Sequence, residues 1–240
     1  MYPSFLLMLI IYFAIFISIV FRRVSKFQGK QVTEKIKCGT YYHLICGLWG
    51  SLFVVLIMCF FAGLSLGDIG LRQMRFDYGV WFTTVMISLS GLLFIFSLYQ
   101  IISLSISTKH KEAAEKQYGN HPVLSGILPR SKKEKCLWSF LSLSAGVCEE
   151  IVFRGFMPLL LLGIFPDISI FFLILIPSVI FGIAHFYQRV QGIIVSALFG
   201  VFFMCLFLAT GSLILPILLH FFYDFSITFT LSEKNRLCLI

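Results

Sequence analysis

Charge is scarce in this sequence. Asp, Glu, Lys and Arg make up only 12% of its 240 residues, against 59% hydrophobic ones. No soluble domain can hide that much apolar surface, so the expected class is all-α, a polytopic bundle of transmembrane helices. Acidic residues are the rarer sign, 11 against 19 basic ones, for a net charge of +8. That excess does not make a nucleic-acid binder, because the basic residues fall in short loops between apolar runs, where they set membrane orientation. The seven cysteines show no C-x-x-C spacing. They are odd in number and several lie within apolar runs, which excludes a zinc framework and a disulfide scaffold. H-E-x-x-H is absent, so no helix offers the two-histidine zinc face of a metalloprotease. Gly-x-Gly-Asp is absent too. The nearest stretch is Ser65-Leu66-Gly67-Asp68, at the wrong surface to pair with Tyr223-Asp224 as an aspartyl protease in the membrane would require. Ser125-Gly126 lies in a loop with no histidine on a facing helix to activate it. Cys148 stands in apolar surroundings that disfavour a thiolate, and reads as a small packing residue.

What the chain has in quantity is apolar runs. Seven are long enough to span a bilayer, at 4–21, 41–66, 80–106, 137–164, 168–187, 192–209 and 213–231. The first lacks a basic n-region and a small-residue cleavage site, so it reads as a retained helix. The longest hydrophilic stretch, 107–135, holds seven Lys and Arg together with Pro122 and Pro129, and is the one candidate linker. It divides the chain into N-terminal helices and loops at 1–135, a second helical unit at 136–231 and a polar tail at 232–240. With the first loop in the cytoplasm, the cytoplasmic side receives 16 of the 19 Lys and Arg, leaving Arg72 and Arg75 outside and Arg154 within a span. The asymmetry expects an outside N-terminus and a cytoplasmic C-terminus.

Six ionisable residues lie in the interior of the apolar runs: Glu149, Glu150, Arg154, His185, His220 and Asp224. All fall in the last four spans, whose connections are short, so those helices are expected to be neighbours and to hold the active site. Glu150 and Arg154 are four residues apart and stack on one helical face as an ion pair. Glu149 lies about 100° round the helix from Glu150 and has no cation on its own helix, so its partner must come from another. At 1.5 Å per residue it is roughly 18 Å into its run. His220 and Asp224 share a face, four residues apart. His185 comes out closer to the cytoplasmic end of its own run. Glu150 and Arg154 read equally as a lock between helices, and a single histidine reads as an interhelical hydrogen-bond donor. Ionisable side chains inside a membrane are costly, however, and their recurrence on three helices points to chemistry.

Glu149-Glu150-x-x-x-Arg154-Gly155, Phe181-x-x-x-His185 and His220-x-x-x-Asp224 together resemble the CPBP (Abi) family, which comprises type II CAAX proteases and bacteriocin-processing enzymes. Thr210-Gly211-Ser212-Leu213 and Pro216-Ile217-Leu218-Leu219 resemble the same family. Leu66-Gly67-Asp68-Ile69-Gly70-Leu71-Arg72 is similar to a short element often found upstream. The resemblance covers about 137–230. It implies an intramembrane glutamic endopeptidase without metal or other cofactor, acting on a membrane-associated peptide or protein. By position, Glu149 and His185 would activate water, His220 and Asp224 would hold the oxyanion, and Glu150 with Arg154 would orient the helix. Many members carry asparagine where this chain has Asp224, and an ionised aspartate only accepts hydrogen bonds. The alternative expectation is a non-enzymatic membrane immunity or adaptor protein that keeps the same helices. A His₂Glu zinc site from Glu149, His185 and His220 is a further reading of the same side chains.

The charge asymmetry makes a direct prediction. A membrane-impermeant reporter fused at the C-terminus should be accessible only from the cytoplasmic face of membrane vesicles, and labelling from the opposite face would reverse the topology.

Overall fold

The computed structural model describes residue 7 and residues 32–76, 79–119 and 123–230. Apart from residue 7, the expected first span, 4–21, lies outside the described residues, as does the tail at 232–240. Among those residues every regular element is helical. The first three helices are α1 (Glu34–Ala62), α2 (Val80–Ile106) and α3 (Thr108–Gly119), and a single turn, α4 (Leu124–Ile127), follows. Next, α5 (Lys132–Glu150) runs without a break through a π-helical segment, Ile151–Phe156, into α6 (Met157–Ile164). The last three helices are α7 (Ile170–Ala184), α8 (Arg189–Thr210) and α9 (Ile214–Ser226).

Three described helices are long and apolar enough to cross a membrane: Glu34–Ala62, Val80–Ile106 and the joined segment Phe186–Thr210. They answer to the expected spans at 41–66, 80–106 and 192–209. The expected spans at 168–187 and 213–231 are shorter apolar helices, Ile170–Ala184 and Ile214–Phe229. The expected span at 137–164 is helical throughout, but its first half carries buried polar side chains, Ser142, Ser144 and Glu150.

One face of α1 builds most of the core. Tyr41, Ile45, Leu48, Leu52, Val55 and Cys59 recur at alternating spacings of four and three, the stripe a helix needs to bury one side. They pack with Leu141, Ala145, Cys148 and Val152 of α5 and the π segment. Trp49, Phe53, Phe60 and Phe61 occupy other faces of α1 and are exposed. In an apolar solvent that arrangement costs nothing, which is why the chain can carry 28 phenylalanines.

Helix α9 lies against α5 closely enough for main chain to meet main chain. A Cβ on Gly146 would come within 3.0 Å of the Ile217 carbonyl oxygen and 3.1 Å of the Phe221 nitrogen. The contact carries α9, and His220 with it, to the face of α5 that ends in Glu149 and Glu150. The hairpin of α7 and α8 closes by the same means, since a Cβ on Gly182 would lie 2.6 Å from the Ile193 oxygen.

Of the hydrophilic stretch 107–135, read as a linker, the described residues are largely helical, and 127–134 are docked on α1. Tyr41 donates its hydroxyl to the Ile127 carbonyl. Lys37 donates to the Leu128 carbonyl at 2.8 Å and lies 3.6 Å from the Glu134 carboxylate. Ser131 and Glu134 form a reciprocal capping box that starts α5. Glu134 is fully buried there. A buried carboxylate needs a cation and donors, and Lys37 with the N–H of Arg130 supplies them. The expected boundary at 135/136 therefore falls inside the first turn of α5.

A second connection secures the opposite end of the bundle. The Asp68 carboxylate accepts from the Ser65 N–H at 2.8 Å and the Ser65 hydroxyl at 2.6 Å, which folds the turn after α1. Those bonds hold the exposed Asp68 carboxyl below the usual carboxylate range. The loop then lies on the turn between α8 and α9. Leu213 N–H donates to the Gly70 carbonyl at 2.9 Å, Arg72 Nε to the Gly211 carbonyl at 2.8 Å and Ser212 Oγ to the Arg72 carbonyl at 2.6 Å. Ile69, fully buried, seats its carbonyl over Gly155 of the π segment, where a Cβ would stand 2.4 Å from that oxygen. Main-chain atoms cannot yield there as a flexible side chain can. Gly155→Val should destabilise the protein by about 1–3 kcal/mol through overpacking. The check is a lowered melting temperature and a smaller folded fraction on detergent extraction; an unchanged melting temperature would show that the loop moves freely.

Candidate active site in the membrane

The two carboxylates end α5, and the helix widens to a π turn immediately after them. Such single π segments recur at functional sites because they re-aim the side chains on either side. Here Glu150 turns inward and is fully buried, with Arg154 beside it at 1% exposure. Arg154 Nη1 donates to Glu150 Oε1 at 3.0 Å, the ion pair expected from the spacing. The same Oε1 takes a second partner. His220 Nδ1 lies 2.7 Å from it, and because a carboxylate only accepts, Nδ1 carries the proton. Arg154, Glu150 and His220 thus form one buried chain across two helices. Glu150 Oε2 and Arg154 Nη2 have no protein partner among the described residues.

Aromatic rings enclose this chain. The Arg154 guanidinium is 4.2 Å from the centre of the Phe181 ring and 5.6 Å from that of Phe203. Phe203 also stacks on His220, with ring centres 5.6 Å apart and planes 15° apart. A cation against ring faces in dry surroundings is a favourable contact, so Phe181 and Phe203 supply part of what water would otherwise give Arg154.

His220 is held through Nδ1, and its Nε2 faces the other way. Glu149 Oε2 and Asp224 Oδ2 each lie 3.7 Å from that nitrogen, beyond direct hydrogen-bond distance. The Asp224 main-chain carbonyl accepts from Trp138 Nε1 at 3.2 Å, tying this part of α9 to α5.

His185 comes from the break between α7 and α8. Its N–H bonds to the Gly182 carbonyl, a tighter turn than an α-helix makes, and a 3₁₀ turn at Phe186–Gln188 follows. Its Nδ1 donates to the Phe181 carbonyl at 2.8 Å, leaving Nε2 for the space in front. Helix α7 has 15 residues. That is a rise of about 22 Å, short of the roughly 30 Å hydrocarbon core. The expected helix at 168–187 would have ended nearer the cytoplasmic surface. The early break brings His185 to the cavity that Glu149 lines.

The cavity has a volume of about 250 Å³, and Glu149, His185, His220 and Asp224 all line it. Glu149 and His185 face the same space without bonding to each other among the described residues. Glu150 and Arg154 stand behind the wall. Also among the described residues, no three His, Cys, Asp or Glu side chains gather as a set that could hold a metal ion. Two features escaped sequence reasoning. The Glu150–His220 bond joins residues 70 positions apart and leaves no local pattern. Tyr187 and Gln188 line the cavity from a segment read only as the end of one run and the turn after it.

Residues 133–226 match the family model described as type II CAAX prenyl endopeptidase Rce1-like. All six intramembrane ionisable residues lie inside the matched stretch. No curated protein and no solved structure matches the chain.

The two carboxylates on either side of His220 should behave differently when removed. Glu150→Ala strands Arg154 and His220 Nδ1 together and should cost about 3–5 kcal/mol of stability. Asp224→Ala removes a side chain that has no hydrogen bond among the described residues and is 30% exposed, and should shift stability by less than about 0.5 kcal/mol. Thermal denaturation of the purified variants separates the two, and equal effects would contradict the geometry.

Proposed function

We propose that this chain, whose residues 133–226 match the model of type II CAAX prenyl endopeptidase Rce1-like proteins, is an intramembrane endopeptidase that uses a glutamate base and no metal. Its substrate is a membrane-associated peptide or protein, such as a C-a-a-X tail or a pheromone or bacteriocin precursor. The observation that carries the reading is the convergence of Glu149, His185, His220 and Asp224 on one cavity among apolar helices. The cytoplasmic side of the membrane is the side of entry, following the charge asymmetry of the loops.

In this mechanism Glu149, with His185 Nε2 across the cavity, takes a proton from a water molecule. The water oxygen bonds to the scissile carbonyl carbon, and the carbonyl π pair moves onto its oxygen. His220 in its protonated form presents Nε2–H to that oxyanion, while Nδ1–H stays on Glu150. The intermediate collapses, the C–N bond breaks, and the proton held by Glu149 passes to the departing nitrogen. Asp224 balances the charge of the imidazolium from 3.7 Å. Orientation of His220 belongs to Glu150, which leaves Asp224 free of that duty.

The test uses the purified full-length chain in lipid nanodiscs and an internally quenched peptide ending in a prenylated C-a-a-X sequence. Glu149→Ala and His185→Ala should each lower turnover by about 10²–10⁴-fold without changing the folded yield. Prolonged exposure to phenanthroline should leave the rate unchanged. Full turnover by Glu149→Ala would sink the glutamate mechanism, zinc-restored loss under chelator would sink the metal-free one, and no cleavage by the wild type would sink the C-a-a-X class.

A further inference from the structure

A developing oxyanion needs more than one donor, and the donors around this cavity can be counted. Ionised Asp224 only accepts, and the proton that Glu149 takes from water is kept for the departing nitrogen. His185 Nδ1–H is committed to the Phe181 carbonyl and His220 Nδ1–H to Glu150. Trp138 Nε1–H is committed to the Asp224 carbonyl. Tyr187 is different. Its hydroxyl oxygen accepts from Gln188 Nε2 at 3.1 Å, which leaves its own O–H unspent among the described residues. The side chain lines the cavity, and its ring lies 5.9 Å from that of His185 at an angle of 31°. Glu149, His220 and Asp224 line the same cavity. Tyr118 and Tyr223 also line the cavity, but among the described residues neither ring is packed on His185, and Tyr223 packs on Phe199 with ring centres 4.6 Å apart.

The backbone around Tyr187 is arranged to hold this geometry. Arg189 has φ 65° and ψ −172°, and is the one non-glycine residue with positive φ among the described residues. That region is essentially restricted to glycine, and a side chain there costs about 1–3 kcal/mol. One turn on, Gly192 leaves room for Gln188, since a Cβ there would fall 2.1 Å from Gln188 Cβ. A strained residue and a missing side chain thus fold Gln188 back onto the phenol. Strain of this kind persists where the surrounding structure requires the conformation, and functional sites are where it gathers.

We propose that Tyr187 is a catalytic residue whose phenolic O–H is the second oxyanion donor beside His220, and that Gln188 is the positioning residue that aims it. The assignment rests on the proteolytic reading above. No proton is transferred: the phenol donates a hydrogen bond to the oxygen that gains the carbonyl electron pair and keeps its own proton when the C–N bond breaks.

Tyr187→Phe removes one oxygen and keeps the ring. With the full chain in nanodiscs and the quenched prenylated peptide, it should lower kcat about a hundredfold, with KM and melting temperature unchanged. Gln188→Glu keeps the bond between the two side chains and reverses it, because a carboxylate accepts. The phenol proton then turns away from the cavity, and kcat should fall with that of Tyr187→Phe. A merely bracing glutamine would leave kcat intact. A peptide phosphinate, whose tetrahedral anion imitates the intermediate, supplies the second measurement: it should raise the melting temperature of the wild type and not that of Tyr187→Phe. Wild-type kcat in Tyr187→Phe overturns the donor role and leaves the Glu149 mechanism standing, and wild-type kcat in Gln188→Glu overturns the aiming. If the wild type binds the phosphinate without cutting the peptide, retained binding by Tyr187→Phe overturns the proposal. A wild type that neither cuts nor binds overturns the mechanism and the donor together.

Discussion

A single carboxylate oxygen, Glu150 Oε1, bears on every other part of the site. It holds Arg154 at 3.0 Å and His220 at 2.7 Å, and none of the three groups has appreciable contact with solvent. Three ionisable side chains at that depth would each be costly alone. Joined, they compensate one another, and the Phe181 and Phe203 rings complete the enclosure. The arrangement separates two duties that residues 149 and 150 could have shared. The inner carboxylate holds the structure, and the outer one meets the cavity. Adjacent positions on a helix point about 100° apart, so a pair of glutamates is the shortest means of serving both.

The all-helical class and the neighbourhood of the six ionisable residues were legible in the sequence because both rest on local signals. Apolar runs report a membrane, and i,i+4 spacing reports a shared face. What was not legible is long-range. Lys37 and Glu134 meet across the bundle, and that meeting turns an apparent linker into a docked element. The capping box at Ser131 and Glu134 is a local signal, yet the burial of Glu134 depends on α1, almost a hundred residues away. The length of α7 was overestimated for a different reason. Hydropathy continues through Phe186 and Tyr187, whereas the helix stops at Ala184, where the ring of His185 turns back onto the Phe181 carbonyl. Composition cannot register a side chain that competes for a backbone acceptor.

Both ends of the bundle are closed by loops that a reading of spans sets aside. Residues 123–134 lie on α1 through Tyr41 and Lys37, and Leu124, Ile127 and Leu128 reach the cavity wall. At the far end, the loop after α1 bonds to the turn between α8 and α9 and covers Gly155. The π segment is therefore pressed from one side by a loop and from the other by an aromatic cluster. A helix so confined has little freedom to return to regular α geometry, and the two glutamates keep their different directions.

The approach of α5 to α9 at Gly146 reaches beyond the chemistry. Where main chain rests on main chain, the spacing between the helix that bears the glutamates and the helix that bears His220 is set by atoms common to every residue. Side chains on the lipid-facing surfaces take no part in it. Over generations those surfaces can drift through any apolar alphabet, exchanging phenylalanine for leucine or valine as the surrounding lipids change, while the distances inside stay as they were. The freedom of the outer surface is thus purchased at one small position, where even a methyl group would push the two helices apart.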